Sequence, residues 1–206
     1  DFANPITTVN LSLGTAWNSD SIPNWTTIED ELSQLEQDGI FIAVSAGNSF
    51  ADYNTPGLSY PAASPYVVPV ASVTNAGSFS NFSQRNDRVI AAPGSSITST
   101  VPDYVFGSDG NPNDFGTASG TSMASPYVAG ASVLVRQAME FVGIQNITQD
   151  TIYDHIRNTA DIFYDAATSA NYHRLNVQAA LDALMPADDY GSSLNDAFSL
   201  GTLSGS

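Results

Sequence analysis

The strongest constraint on the fold is a strand, a helix and a second strand that follow one another early in the chain. Thr7–Leu13 predicts a short strand, and Ile28–Gln37 predicts a helix with three carboxylates in its first turn, where the helix dipole favours them. Gly39 then ends the helix, and the continuous apolar run Ile40–Ser45 is typical of a strand buried on both faces. Because such a crossover is right-handed and its strands are parallel, their C-terminal ends meet at the edge where open α/β sheets bind ligands.

The rest of the pattern continues this alternation. Two more strands are predicted, at Tyr66–Val73 and Val89–Ala92. Three more helices are predicted, at Ser122–Phe141, Asp150–Thr159 and Val177–Leu184. The first four turns of Ser122–Phe141 are apolar nearly all round, which predicts a central, buried helix. Pro102–Phe115 is rich in Asp, Asn, Gly and Pro and predicts a hairpin or a long surface loop. We therefore expect an α/β domain over residues 1–185, with a parallel sheet and helices on both faces, followed by a linker at 186–206.

Composition excludes several classes of partner and chemistry. Five Arg and no Lys stand against 21 acidic residues, a formal net charge of −16, so nucleic acid and anionic membrane surfaces are not expected as partners. With no Cys there is no disulfide, no thiolate nucleophile and no zinc–thiolate site. The longest apolar stretch, around Tyr127–Val135, is shorter than the ~20 residues of a membrane span. The acidity favours an extracellular or high-salt setting.

Ser122 begins the predicted long helix, after a run of glycines and small hydroxyl residues. At a helix N-terminus the backbone N–H points outward, so an oxyanion formed when this serine attacks a carbonyl would lie against its own N–H. Gly120 would let a substrate backbone approach. Most serines at such positions are simple N-caps, and on this pattern alone both interpretations stay open.

The residues around Ser122 resemble one family. GTSMASP at 120–126, continued by VAG at 128–130, resembles the nucleophile motif of the subtilisin-like serine proteases, the subtilases. Five other segments match the family in the expected order: NLSLG at 10–14, SAGN at 45–48, FSNFS at 79–83, APG at 92–94 and NVQAA at 176–180. The resemblance covers roughly Ile6–Leu184. It implies a subtilisin-like α/β fold and a serine endopeptidase that acts on peptides or proteins.

The same resemblance implies roles for particular residues. Ser122 would be the nucleophile that forms an acyl-enzyme, and Asn48 would donate its side-chain N–H to the oxyanion beside the Ser122 N–H. Tyr60–Pro61 resembles the cis-proline turn of the family. An asparagine in a strand-end turn and a trans peptide are the non-functional alternatives.

Two strand ends would bind the substrate, as the resemblance implies. The first would pair with the substrate backbone as an added strand, and the second would form a wall of the pocket for the side chain before the scissile bond. These segments are Ser12, Leu13 and Gly14, and then Ser45, Ala46 and Gly47. Ordinary strand termination explains both equally well without any function.

The family's aspartate and histidine have no counterpart in this sequence. Subtilases carry Asp, then His, then Ser, whereas His155, in a predicted helix, and His173, in a predicted loop, both follow Ser122. We therefore expect a C-terminal part of the catalytic domain, lacking its N-terminal strands. An N-terminal half of the same domain would supply both residues and cover the Thr7–Leu13 edge. Because a serine without a base is a weak nucleophile, the chain by itself is expected to be inactive.

No cofactor is required by this chemistry, and calcium is the one ion that the resemblance suggests. Asp109, Asn111, Asn113 and Asp114 resemble a calcium loop without the glycine of an EF-hand, and a solvated turn is the alternative. No other metal site is predicted. Residues 186–206 resemble the start of a β-sandwich module of the kind appended to secreted bacterial peptidases, which favours an extracellular protein.

Two further functions remain open at this point. One is a catalytically inactive subtilase-fold module for peptide binding or assembly, and the other is an esterase or acyl transferase that uses the same serine. The intact GTSMASP motif together with Asn48 favours the peptidase, because a binding module needs neither group.

Overall fold

The strands form a six-stranded sheet and a two-stranded ribbon within residues 5–105, 109–110 and 114–185, which the computed structural model describes. The elements in chain order are β1 (Thr8–Leu11), α1 (Glu29–Gln37), β2 (Phe41–Ser45), α2 (Phe50–Tyr53), β3 (Val68–Val73), β4 (Ile90–Pro93), β5 (Ile97–Thr100), β6 (Phe115–Ala118), α3 (Thr121–Phe141), α4 (Gln149–Asn158), β7 (Asp161–Asp165), β8 (Ala170–Arg174) and α5 (Val177–Asp182). The predicted tail at 186–206 lies outside the described residues.

The sheet has the order β1-β2-β3-β4-β8-β7. All its neighbouring strands are parallel except the pair β7 and β8. In the first strand–helix–strand unit Thr8 lies opposite Phe41, and β1 has β2 as its neighbour on one side only within the described part of the chain. The predicted α/β fold on a parallel sheet is confirmed.

Helices cover both faces of the sheet, as predicted. All five residues of β2 are buried, and they alternate between the two faces. Phe41 and Ala43 pack in one core with residues of α3, α4 and α5, whereas Ile42 and Val44 pack in a second core with Leu32 of α1. A strand with an apolar layer on each side has to be apolar throughout, which is why this run was recognisable in the sequence.

The hairpin of β7 and β8 was not predicted, and the expectation that His173 lies in a loop is wrong, because His173 belongs to β8. Both strands are only five residues long and neither alternates apolar with polar residues, so no periodic pattern identifies them. Their partners decide the structure instead. Phe79 packs edge-on against Phe163 and Tyr172, with ring centroids 4.9 and 4.8 Å away, and β8 pairs with β4.

The segment Pro102–Phe115 connects the ribbon strands. β5 and β6 are antiparallel, with Thr100 opposite Phe115, so these strands flank the segment for which a hairpin or a long surface loop is predicted. Residues 106–108 and 111–113 lie outside the described residues.

None of the described helices is long and apolar enough to cross a membrane.

Candidate active site

A cavity of about 270 Å³ lies where the C-terminal ends of β1 and β2 meet the N-terminus of α3. We call it the Ser122 cavity. It is lined by Leu13, Gly14, Thr15, Ala16, Ser45, Gly47, Asn48, Ser49, Ser59, Gln84, Thr121 and Ser122. The sheet topology explains this meeting, because parallel strands end at the same edge and the long buried helix begins there.

Ser122 is partly exposed and lies against the end of β1. Its Oγ donates a long hydrogen bond, 3.4 Å, to the carbonyl of Ser12, and Ser12 Oγ donates to the carbonyl of Ser122 at 2.8 Å. The amide of Ser122 belongs to the first turn of α3, where backbone N–H groups have no carbonyl partner within the helix. A hydroxyl with one weak contact and an outward amide therefore face the cavity together.

Asn48 borders the same cavity, and α3 fixes its orientation. Its Oδ1 accepts hydrogen bonds from the backbone N–H of Thr121 at 2.9 Å and from Thr121 Oγ1 at 3.0 Å. Thr121 Oγ1 in turn accepts from the Gly47 amide at 3.2 Å. A Cβ on Gly120 would stand 3.4 Å from Asn48 Nδ2, so this nitrogen lies beside the turn that precedes Ser122. Since Oδ1 is held by Thr121, Nδ2 is left as the donor that points away from it.

Sequence reasoning missed Thr121, although a signal for it was available. It is the first residue of α3 and stands directly before Ser122, inside the motif that drew attention to the serine. Its side chain is buried, at 1% exposure, and bridges Gly47 and Asn48. A hydroxyl at that position can orient a nearby side-chain amide, and the fold brings the amide of Asn48 within hydrogen-bond distance of it.

The two predicted substrate-binding segments lie at different parts of the cavity, one at its rim and the other in its wall. Leu13 and Gly14 are exposed at the rim of the cavity, Ser12 contacts Ser122, and Ser45 and Gly47 line the wall. Neither Ala46 nor Gly120 lines the cavity.

Ala46 and Gly120 take part through their backbones. Ala46 is fully buried in the core, its N–H donating to Val70 and its carbonyl accepting from Ser59 at 2.8 Å. Gly120 donates its N–H to the carbonyl of Gly94 at 2.8 Å. These bonds hold the two strand-end turns in place on either side of the serine.

Two further residues of the lining, Ser59 and Gln84, carry no signal in the sequence. Gln84 Nε2 donates to the carbonyl of Trp17 and to Asn18 Oδ1, both at 2.8 Å. Ser59 stands just before the Tyr60–Pro61 peptide, which is cis as the resemblance implied. Both residues come from loops far apart in the chain, so their meeting could not be read from spacing.

Neither histidine borders Ser122. His155 Nε2 makes a 2.7 Å hydrogen bond with the carbonyl of Ala180, and His173 Nδ1 makes one of 3.0 Å with the carbonyl of Arg157. Burial lowers the pKa of His173, and the nearby charge of Arg157 lowers this pKa further. The expectation that neither imidazole serves this serine agrees with their positions.

The described residues contain no cluster of three or more His, Cys, Asp or Glu side chains that could hold a metal ion. Of the residues that resemble a calcium loop, Asn111 and Asn113 lie outside the described residues, while Asp109 and Asp114 lie within them. Calcium at this loop stays a prediction.

Comparison with known families matches the Subtilase family model to residues 2–192, which include every residue of the Ser122 cavity. The chain belongs to the subtilase family. The resemblance to the subtilases is therefore confirmed, and the fold of the chain is that of a subtilisin-like protease.

Two curated proteases are similar in sequence to this subtilase chain. The major intracellular serine protease of Bacillus subtilis (strain 168) is 33% identical over 134 residues, which are 64% of this chain and 37% of the relative. The extracellular protease of Xanthomonas campestris pv. campestris is 34% identical over 161 residues, 77% of this chain and 25% of the relative. The chain thus spans less than half the length of these relatives.

Solved structures give the same fold. The prenylagaramide maturation protease PagA superimposes with a TM-score of 0.70 at 20% identity, over 87% of this chain and 62% of that one. At this identity the likeness concerns the fold, and the chemistry has to be argued from the residues of this chain.

Proposed function

We propose that this subtilase chain supplies the nucleophile and the oxyanion-binding groups of a serine endopeptidase. Ser122 would attack the carbonyl carbon of a peptide bond and form an acyl-enzyme, which water then hydrolyses. The observation that carries the proposal is the meeting of Ser122 and Asn48 at one cavity, with the Asn48 carbonyl oxygen held by Thr121. A carboxamide oriented in this way directs its N–H₂ group toward a ligand.

The proposed oxyanion hole has two donors, the Ser122 backbone N–H and Asn48 Nδ2. When Ser122 Oγ bonds to the carbonyl carbon, the carbonyl oxygen becomes negative and needs donors already in position. Both groups are held before substrate arrives, the first by the start of α3 and the second by Thr121. Preorganised donors of this kind stabilise the transition state more than the substrate.

The peptide or protein substrate would lie along the exposed end of β1 at Ser12, Leu13 and Gly14, as an added strand. Its side chain before the scissile bond would then enter the Ser122 cavity between that end and the Ser45–Gly47 wall. Support comes from the exposure of Leu13 and Gly14 at the rim of the cavity.

The proton of Ser122 Oγ must pass to a base during the attack, and then to the leaving amine. Both histidines of this chain make backbone contacts elsewhere. We propose that the aspartate and histidine come from an N-terminal half of the same catalytic domain, outside this sequence, which would also cover the edge of β1. No cofactor takes part in these steps.

A fluorophosphonate probe tests this proposal, since it bonds covalently to activated serines. The chain alone is expected to remain unlabelled and to hydrolyse no peptide, because it lacks a base. The same chain joined at residue 1 to the upstream segment of its gene is expected to be labelled and to cleave peptides, and Ser122→Ala should abolish both. Labelling of the lone chain that disappears in Ser122→Ala would contradict the division of the site between two segments.

The same experiment separates the alternative functions. A joined protein that binds peptides but is neither labelled nor active would be an inactive binding or assembly module. One that cleaves esters and leaves matched peptides intact would be an esterase.

The setting and the domain limits are part of the proposal. The acidic composition and the extracellular Xanthomonas relative support an extracellular protein, whereas the intracellular Bacillus relative supports the opposite location. We propose a catalytic domain part at 1–185 and a linker or module start at 186–206. Western blotting of culture medium and cell lysate distinguishes the two locations.

A further inference from the structure

The inner end of the Ser122 cavity is built from uncharged polar side chains. All twelve lining residues are neutral. Leu13, Gly14 and Asn48 are exposed at the rim, whereas four residues of the lining are buried, Ser45, Ser59, Gln84 and Thr121, with exposures of 3%, 1%, 2% and 1%. Thr121 is occupied in holding Asn48. The floor that the tip of an inserted side chain would reach therefore consists of Ser59 and Gln84, together with Ser45, which also belongs to the wall.

Two glycines hold this floor close to the walls. A Cβ on Gly14 would stand 2.6 Å from Ser59 Oγ, and one on Gly47 would stand 2.0 Å from Gln84 Oε1 and 2.8 Å from Ser59 Cβ. Gly47 also has a positive φ of 111°, which side chains rarely adopt. Ser59 therefore lies between the two glycines, and its position is set by close packing.

The hydrogen-bond donors of the floor are already used inside the protein. Ser45 Oγ donates to the carbonyl of Leu13 at 3.1 Å, and Ser59 Oγ donates to the carbonyl of Ser45 at 3.4 Å. Gln84 Nε2 uses its two hydrogens on the Trp17 carbonyl and Asn18 Oδ1. A backbone carbonyl can only accept, so the contact with Trp17 fixes which end of the Gln84 amide is nitrogen.

The floor is consequently left with acceptors. The lone pairs of Ser45 Oγ and Ser59 Oγ remain available, and Gln84 Oε1 has one long contact, 3.4 Å from the amide of Ser49. A substrate carboxylate would meet oxygen atoms of the same polarity. An ammonium group would lose water without gaining a counter-ion, and an apolar side chain would leave buried acceptors without partners.

We infer that the Ser122 cavity selects a neutral side chain that ends in a hydrogen-bond donor, above all a carboxamide, at the residue before the scissile bond. This inference rests on the proposed peptidase function, because that function places a substrate side chain in the cavity. Ser59 and Gln84 are the residues that determine the selection.

Binding measurements on the inactive protein test the inference independently of catalysis. The Ser122→Ala variant, joined to its upstream segment, is titrated calorimetrically with four peptides that differ only in having Gln, Glu, Met or Lys at the position before the bond. The glutamine peptide is expected to bind about tenfold more tightly than the methionine peptide of similar shape, as expected for one or two added hydrogen bonds. The glutamate and lysine peptides are expected to bind more weakly than the methionine peptide.

Two variants with a matched control assign the effect to the floor. Ser59→Ala removes one acceptor with little change of shape and is expected to reduce the preference for glutamine over methionine by about threefold or more. Gln84→Met removes the second. Ser64→Ala deletes another buried serine hydroxyl, one that contacts Glu29 away from the cavity, and is expected to keep the preference.

The outcomes separate this inference from the proposed function. Equal or tighter binding of the methionine, glutamate or lysine peptide overturns the selection, as does the absence of binding by all four. A glutamine preference in a protein whose Ser122 is never labelled would uphold the selection and refute the peptidase.

Discussion

Two regions of this molecule use buried polar groups in opposite ways. In the Ser122 cavity the polar side chains are neutral, and Ser59 Oγ and Gln84 Oε1 each make one long hydrogen bond of 3.4 Å. In the Arg85 cluster, which consists of Arg85, Asp165, Phe50 and Phe79, the charges are paired. Arg85 donates from Nε and Nη2 to Asp165 at 3.1 and 3.0 Å, and from Nη1 to the carbonyl of Ser83 at 2.7 Å. Its guanidinium also lies 3.3 Å from the centroid of the Phe50 ring.

Adjacent residues of one segment serve the two regions. Gln84 reaches into the floor of the cavity, whereas Arg85 reaches toward the hairpin of β7 and β8. Burial lowers the pKa of Arg85, and the charge and hydrogen bonds of Asp165 oppose that effect. The difference is that several short hydrogen bonds hold the charged pair and fix an element in place, whereas a neutral group with one long bond can still accept a hydrogen bond from a ligand. We expect substitutions in the Arg85 cluster to act chiefly on stability and those in the Ser122 cavity to act on binding and turnover.

The largest effect is expected from Arg85→Ala. It leaves the Asp165 carboxylate, whose side chain is only 13% exposed, without its cation, so the free energy of unfolding should fall by ~3–5 kcal/mol in urea denaturation. Arg174→Ala is the control, since it breaks an ion pair with Asp161 whose side chains are 35% and 43% exposed, and should cost less than about 1 kcal/mol. If the two variants lose the same free energy of unfolding, the Arg85 ion pair is no more important for stability than an exposed one.

A smaller effect is expected at the cavity. Thr121→Val keeps the shape but removes the hydroxyl that holds Asn48, so kcat should fall by about tenfold while KM changes little, since the lost bond acts through the oxyanion donor. Activity is measured on the chain joined to the proposed N-terminal half. Thr121→Ser restores the hydroxyl and should restore kcat. If the serine variant is as slow as the valine variant, Thr121 has only a packing role.

The smallest effect is expected from His173. Its native pKa lies below the unfolded value of 6.5, so the unfolded chain binds the proton more readily and stability decreases as the pH falls through 6.5 toward the native pKa. Below the native pKa this loss is complete. His173→Gln should flatten that part of the plot of unfolding free energy against pH. An unchanged slope between pH 7.5 and 5 would show that other groups control acid sensitivity.

Prediction from the sequence succeeded where burial is continuous. Ile40–Ser45 and Ser122–Phe141 were recognised because a strand between two layers and a central helix must be apolar all round. The hairpin of β7 and β8 was not predicted, because the contacts that stabilise it, with β4 and with Phe79, are non-local. The same contrast holds within the cavity. Ser122 and Asn48 were predicted because they lie in recognisable motifs, whereas Ser59 and Gln84 lie in loops without such a motif and were missed.

The sequence by itself determined the parallel βαβ unit, the helix that carries the serine in its first turn, and the family, because each depends on a local pattern or a short motif. Only the tertiary structure decided which acceptors form the floor of the cavity and that Thr121 holds Asn48. The physical reason is that hydrogen-bond satisfaction is a property of groups brought together from distant loops. Whether Gln84 Nε2 is used or available depends on Trp17, 67 positions away, and no local pattern carries that information.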